Sequence, residues 1–172
     1  MHERKTMKIQ EIENILNREL GFNPILGRDE QSQPPVLKID PAQLLSVCRV
    51  LHANPAFYFD TLSCLSGIDN GPEANTLEVL YHLYSIPHHY SLGISCLLPR
   101  NTQGQNLPEI DSVCSVWKSA NWHEREAYEM VGIRFKGHPD LRKLLLPADW
   151  EGYPLRKDYQ QQDSYRGIKV EY

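Results

Sequence analysis

Ligand-type cysteine spacing is missing from this chain. The four cysteines are Cys48, Cys64, Cys96 and Cys114, and no two are separated by two residues. That excludes a zinc knuckle and a contiguous iron–sulfur ligand run. Each sits in an apolar stretch, so buried thiols in a reducing compartment are expected. Basic excess is absent too. With 18 Lys+Arg against 22 Asp+Glu the net charge is −4, which argues against a nucleic-acid binder. No apolar run approaches the ~18 residues of a membrane span. The first residues, Met1-His2-Glu3-Arg4-Lys5, have no apolar segment behind them and do not read as a secretory signal. None of the seven histidines stands in an H-E-x-x-H run, and His88-His89 would point to opposite faces of a strand. Membrane-embedded, collagenous, coiled-coil and wholly disordered classes are excluded.

What remains is 172 residues, 41% of them apolar, enough for one domain with a real core. A mean hydropathy of −0.50 and twelve prolines show that part of the chain lies outside that core. Lys8–Leu20 carries Ile9, Ile12, Ile15, Leu16 and Leu20 at helical spacing, with Gly21 placed as a C-cap. A polar, proline-rich loop follows through Pro24 and Pro35, then a short strand at Val36–Ile39. Asp40-Pro41 starts a second helix, with Gln43 placed to complete a capping box. Its buried stripe is Leu44, Leu45, Val47, Cys48 and Leu51, and Asn54-Pro55 stops it.

Phe57–Ile68 turns into a strand toward its end, and Asp69-Asn70-Gly71-Pro72 is turn chemistry. Thr76–Ile86 and Tyr90–Leu98 alternate over long stretches across a short link, which predicts an antiparallel hairpin. A polar loop, Pro99–Pro108, comes next. Ile110, Val113, Val116, Trp117 and Ala120 space as a helix, and a further helix is expected from Trp122 to Val131, closed by Gly132. The fold class expected is α+β: a mainly antiparallel sheet with helices packed on one face, followed by an extended irregular C-terminal arm. The domain division is an α+β domain over residues 1–135 and a partner-binding arm over residues 136–172. That arm has no sustained periodicity, yet it carries Trp150, Tyr153, Tyr159, Tyr165 and Tyr172, an aromatic load that free tails lack.

The densest stretch is Trp122-His123-Glu124-Arg125-Glu126-Ala127-Tyr128-Glu129-Met130-Val131. Arg125 and Glu129 are four apart and able to pair on one helix face. Clustered carboxylates admit two readings: a solvated, salt-bridged helix face, or an acid–base or metal site built from Glu124, Glu126, His123 and His138. Glu124 and Glu126 are two apart and splay by about 200° on a helix, which opposes the second reading. On pattern alone the solvated face is favoured.

The run Glu124-Arg125-Glu126-x-x-Glu129-Met130-Val131-Gly132-Ile133-x-Phe135-x-Gly137-His138-Pro139-Asp140-Leu141-Arg142 resembles the signature of the NADH-quinone oxidoreductase C subunits, the 30-kDa subunit family of respiratory complex I. The resemblance continues through Leu144-Leu145-Leu146-Pro147-x-Asp149-Trp150-Glu151-Gly152-Tyr153-Pro154-Leu155-Arg156-Lys157-Asp158-Tyr159. The chain departs at Glu129, where many members carry Asp, and at Val131, where an aromatic is common.

The resemblance implies a structural and assembly subunit in the peripheral arm of proton-translocating NADH:quinone oxidoreductase. That complex passes electrons from NADH through FMN and iron–sulfur centres to quinone. The chain would lie against the quinone-reactive D subunit, on the cytoplasmic side of a bacterial plasma membrane or its organellar equivalent. It would have no catalytic, cofactor-binding or metal residues of its own, FMN and the clusters belonging to partner subunits. It would reach the membrane only through the complex. An equivalent subunit of a ferredoxin- or hydrogenase-linked relative is the alternative. By the same resemblance Glu124, Arg125, Glu126, Tyr128 and Glu129 would build the helix and its ion-pair network. Gly132, Gly137 and Pro139 would set the backbone path after it. His138, Arg142, Arg156, Lys157 and Asp158 would make charged contacts to partners.

Overall fold

Alternating apolar residues in two long strands organise the molecule. In the computed structural model, which describes residues 9–101 and 105–169, β4 (Thr76–Ser85) and β5 (Tyr90–Pro99) pair antiparallel from Thr76↔Pro99 to Ser85↔Tyr90. Leu77, Val79, Tyr81 and Leu83 face the same side as Leu92, Ile94, Cys96 and Leu98, and all eight are buried. The expected hairpin is therefore present. β3 (Thr61–Asp69) pairs antiparallel with β4 on its other side.

β2 (Val36–Ile39) joins β5 in parallel, and β1 (Ile25–Asp29) closes the far edge antiparallel to β2. The sheet order is β1-β2-β5-β4-β3. The strand at β2 matches expectation; β1 does not. Its sequence, Ile-Leu-Gly-Arg-Asp, lacks apolar alternation and forms by pairing with β2 across a bulge between Ile25 and Gly27.

The helices line one face, as expected. α1 (Ile9–Leu20) buries Ile9, Ile12 and Leu16, and Gly21 follows with φ of +75° and its N–H on the Asn17 carbonyl. The expected first residue, Lys8, lies outside the described residues. Asp40 caps the next element by accepting from the Ala42 N–H at 3.0 Å. The capping box does not form, because the Asp40 N–H already binds the Pro24 carbonyl. A 3-10 turn at Pro41–Gln43 leads into α2 (Leu44–Ala53), which buries Leu44, Val47, Cys48 and Leu51, with Leu45 only half-buried. α3 (Ala120–Val131) packs on β3, close enough that a Cβ at Gly67 would sit 3.1 Å from the Ala127 Cβ. The opposite sheet face carries Ser66, Glu78, His82 and Tyr84, half-buried.

The helix expected over Ile110–Ala120 is not there. Glu109–Asp111 is a strand, β6, parallel to β7 (Arg134–Lys136), and isolated turns follow, in the first of which the Val113 carbonyl accepts from the Val116 and Trp117 N–H groups. Ile110, Val113, Trp117 and Ala120 are all buried, so the apolar spacing is real. A strand partner lying beyond α3 leaves no trace in local periodicity. After β7 the chain is irregular except for a short hairpin of β8 (Ser164–Tyr165) and β9 (Ile168–Lys169). Tyr172 lies outside the described residues.

The Gly67 contact makes a stability prediction. Gly67→Val drives a branched side chain into Ala127 and Val131 and is expected to lower unfolding free energy by about 1–3 kcal/mol. A urea titration followed through the fluorescence of buried Trp117 measures it.

Candidate functional site

The signature residues of α3 are aimed at the arm. Arg125 and Glu129 share a face one turn apart, yet the expected pair between them is replaced by a division of labour. The Arg125 guanidinium donates to the carbonyls of Arg142 (3.0 Å) and Lys143 (3.2 Å). The Glu129 carboxylate accepts the next three backbone N–H groups, from Leu144 (2.8 Å), Leu145 (2.8 Å) and Leu146 (3.2 Å). One cation takes carbonyls and one anion takes amides along a continuous five-residue stretch. Glu129 is buried, so these bonds are charge-assisted and shielded from water.

The C-terminal end of α3 is held the same way. Gly132 ends the helix in the left-handed region, φ +75°, and a Cβ there would lie 2.8 Å from the Tyr153 ring. Glycine is required both for the turn and for the approach of the arm. Past it, the Leu155 N–H binds the Met130 carbonyl at 3.0 Å. Arg156 donates to the carbonyls of Val131 (2.7 Å) and Gly132 (3.3 Å), a cation placed at the negative end of the helix. It also reaches Asn101 through the carbonyl (3.2 Å) and Oδ1 (2.7 Å).

A third anchor centres on Asp69. Its carboxylate accepts from Arg100 at 2.9 and 3.2 Å, from the Gly71 N–H at 2.9 Å and from the Lys157 N–H at 2.8 Å. Arg100 bridges on to Asp158. Burial pushes the Asp69 carboxyl up, but the Arg100 hydrogen bonds and the two backbone N–H groups outweigh it and hold it at about 2. Sequence reasoning does not single out Asp69, Arg100 or Asn101. The Asp-Asn-Gly-Pro turn is the only local signal near them, and nothing in it points 88 residues ahead to Lys157.

A fourth cluster lies beside α3. Glu124 is fully buried and accepts from the Val113 N–H (2.7 Å), the Cys114 thiol (3.4 Å) and the Ser112 hydroxyl. His138 accepts the Asp140 N–H at Nδ1 (2.9 Å) and donates from Nε2 to the Asn121 carbonyl (3.0 Å), which sets its tautomer. Burial raises the Glu124 carboxyl above its ordinary range and pushes the Cys114 thiol up to about 12. Cys114, Glu124 and His138 offer donor atoms all within 4.8 Å of one another. Of the four residues considered for an acid–base site, the fold thus joins Glu124 to His138, while Glu126 lies on the other side of α3.

The remaining signature residues are peripheral. Tyr128 is half-buried and lines a cleft with Arg134 and Leu141. Gly137 makes a left-handed turn at φ +77°, and Pro139 is exposed beside it. The Arg142 side chain is 76% exposed and pairs with Asp140 at 2.9 Å. Of the residues expected to make charged contacts to partners, His138 and Arg156 bond within the chain, Lys157 gives its backbone N–H to Asp69, and Asp158 pairs with Arg100; Lys157 and Asp158 are exposed.

The Glu129 and Asp69 anchors can each be tested. Glu129→Gln replaces one acceptor oxygen with an NH2 facing backbone donors, at a cost of about 1.5–3 kcal/mol. The amides of Leu144–Leu146 are expected to exchange with deuterium at least tenfold faster, while the β4–β5 amides are unchanged. Asp69 has a folded-state pKa of about 2 against an ordinary 3.8, so its stabilisation is complete above 3.8 and disappears as pH falls through about 2. A shift of that size is worth roughly 2 kcal/mol. Asp69→Asn is expected to remove this component, flattening the acid limb of an unfolding free-energy profile while lowering stability at neutral pH.

Similarity to known proteins follows the signature. The family described as respiratory-chain NADH dehydrogenase, 30 Kd subunit, matches residues 37–165. The NADH-quinone oxidoreductase C subunit of Chlorobium phaeobacteroides is 42% identical over 159 residues, covering 90% of this chain and 91% of that protein. The second NADH-quinone oxidoreductase C subunit of Rhizobium etli is 44% identical over 124 residues, covering 72% of this chain; the chain spans only 63% of that relative. A solved chain in the membrane-bound sulfane sulfur reductase, an archaeal respiratory membrane complex, shares the fold with a TM-score of 0.68 at 17% identity, covering 88% of this chain and 85% of that one. With the signature helix, its arm and these relatives in agreement, the chain belongs to the 30-kDa subunit family of respiratory-chain NADH dehydrogenase.

Proposed function

We propose that this chain is a non-catalytic structural and assembly subunit of the peripheral arm of a proton-translocating NADH:quinone oxidoreductase, packed against the quinone-reactive D subunit. FMN and the iron–sulfur clusters that carry electrons from NADH to quinone reside in the partner subunits. The observation that carries this reading is how the arm is held. Arg125 and Glu129 bind its backbone, its own Arg156 donates to the carbonyls at the end of α3, and its Lys157 contributes an N–H to Asp69. Apolar side chains of the same region face outward: Trp122 is 67% exposed, Leu145 63% and Leu155 61%. A backbone held this firmly with exposed aromatic and leucine side chains is a preorganised interaction surface. Among the described residues no helix is long and apolar enough to cross a membrane. In this reading membrane association comes through the other subunits, on the cytoplasmic side.

The test is a tagged pull-down from detergent-solubilised native membranes, with bound chains identified by mass spectrometry and assayed for NADH:quinone activity. Recovery of a quinone-reactive subunit with flavin- and cluster-bearing chains is expected. The double variant Leu145→Asp/Leu155→Asp alters only exposed positions, so its melting temperature should match the parent while recovery of the complex falls at least tenfold. Recovery of the chain alone, under conditions that keep complexes intact, overturns the proposal. Ferredoxin- or hydrogenase-linked partners in place of NADH-oxidising ones would move the chain to the alternative relative.

A further inference from the structure

We propose that Cys114, Glu124 and His138 form a binding site for one divalent transition-metal ion of the zinc class. The inference stands apart from the partner reading above. The three residues come from three segments: the turn after β6, the first half of α3 and the turn after β7. The sheet pairing of β6 with β7 brings the first and third together, since Glu109–Asp111 lies parallel to Arg134–Lys136. The Ser112 N–H continues that ladder to the Lys136 carbonyl at 2.8 Å, which fixes the backbone on both sides of the site. The thiol, carboxylate and imidazole donors lie within 4.8 Å of one another without rearrangement of the chain.

The donor set selects the metal. Thiolate with imidazole suits zinc and its neighbours and disfavours magnesium and calcium, which take oxygen ligands. Three protein ligands leave a position for water or a fourth donor.

Electrostatics supply the second argument. Glu124 is 0% exposed, and among the described residues no lysine or arginine forms an ion pair with it; the adjacent Arg125 is committed to arm carbonyls. A buried carboxylate without a cation is costly. A divalent ion bound by the Glu124 carboxylate, the Cys114 thiolate and neutral His138 gives an assembly of zero net charge. Binding displaces the thiol proton, which now bridges Cys114 to Glu124, to solvent; the thiolate sulfur donates its electron pair to the metal, and no oxidation state changes. His138 meets a further requirement of metal-binding histidines. The Nε2–H bond to the Asn121 carbonyl leaves the ring lone pair on Nδ1, so ligation through Nδ1 exchanges the Asp140 N–H contact for the metal while Nε2 stays hydrogen-bonded and the ring oriented.

The test uses the purified full chain, stripped with chelator and dialysed against cobalt(II), then against zinc(II). The parent is expected to retain one equivalent of cobalt with the intense near-ultraviolet band of a cobalt–thiolate bond, and zinc should bleach it. Cys114→Ser is expected to abolish the band and weaken zinc binding by roughly a hundredfold or more, since even an outer-shell partner is worth about 10–100-fold. His138→Gln should weaken binding comparably. Cys64→Ser, at a half-buried thiol on the opposite sheet face, should leave band and affinity unchanged. Far-ultraviolet circular dichroism of each apo variant separates lost binding from lost folding. Failure of the folded parent to retain cobalt, retention without the thiolate band, or a band that survives Cys114→Ser would each overturn the site.

Discussion

A carboxylate that accepts three consecutive backbone N–H groups is the contact on which the C-terminal half of this protein depends. Glu129 does this for Leu144, Leu145 and Leu146, and Arg125, one turn earlier, holds the two carbonyls before them. The arm has no helix or strand at this point to satisfy its own polar groups. Unpaired and half-buried, those groups would oppose its lying on the domain. The charged pair on α3 replaces the missing secondary structure. It binds the arm through backbone groups, so Leu145 can face solvent while its backbone is held.

Two buried carboxylates show how the surroundings decide the charge state. Asp69 lies against a guanidinium that it binds twice, and it ionises more easily than a free aspartate. Glu124 has backbone, hydroxyl, thiol and imidazole groups around it, and burial raises it. Breaking the Asp69–Arg100 pair would strand a buried charge, a loss of about 3–5 kcal/mol. Glu124 instead has no lysine or arginine ion-pair partner among the described residues. Both sit where the domain meets the segments that follow α3, so the electrostatics of the core and the placement of the arm are coupled.

These anchors show what part of a signature dense in charge does: Glu124 and Glu129 are buried and Arg125 and Arg156 half-buried, all bonded within the chain, while Glu126 and Arg142 face solvent. The pattern around α3 directs the arm to fold back: Gly132 for the turn and close approach, Arg156 for the helix end, Glu129 and Arg125 for the amides and carbonyls. Membership of the 30-kDa subunit family of respiratory-chain NADH dehydrogenase follows from that pattern and from relatives above 40% identity. A chain of an archaeal respiratory membrane complex has the same fold at 17% identity.

Local periodicity and punctuation determined much of this protein. The alternation in Thr76–Ser85 and Tyr90–Pro99 was legible as the β4–β5 hairpin because one face of each strand is apolar at every second residue. Asp40, Asn54, Gly21 and Gly132 marked helix ends because caps act within a few residues. The tertiary structure alone decided the rest. β6 depends on β7 across the whole of α3, so its apolar residues mimicked a helix. Lys157 meets Asp69 across 88 residues, and Arg125 and Glu129, spaced to pair with each other, serve the arm instead. Cys114, Glu124 and His138 share no ligand spacing; the β6–β7 pairing brings Cys114 and His138 together, and the packing of α3 adds Glu124. Sequence spacing reports partners within a turn or a strand; a charge or donor whose partner is distant in the chain acquires its role only when the backbone has closed the loop between them.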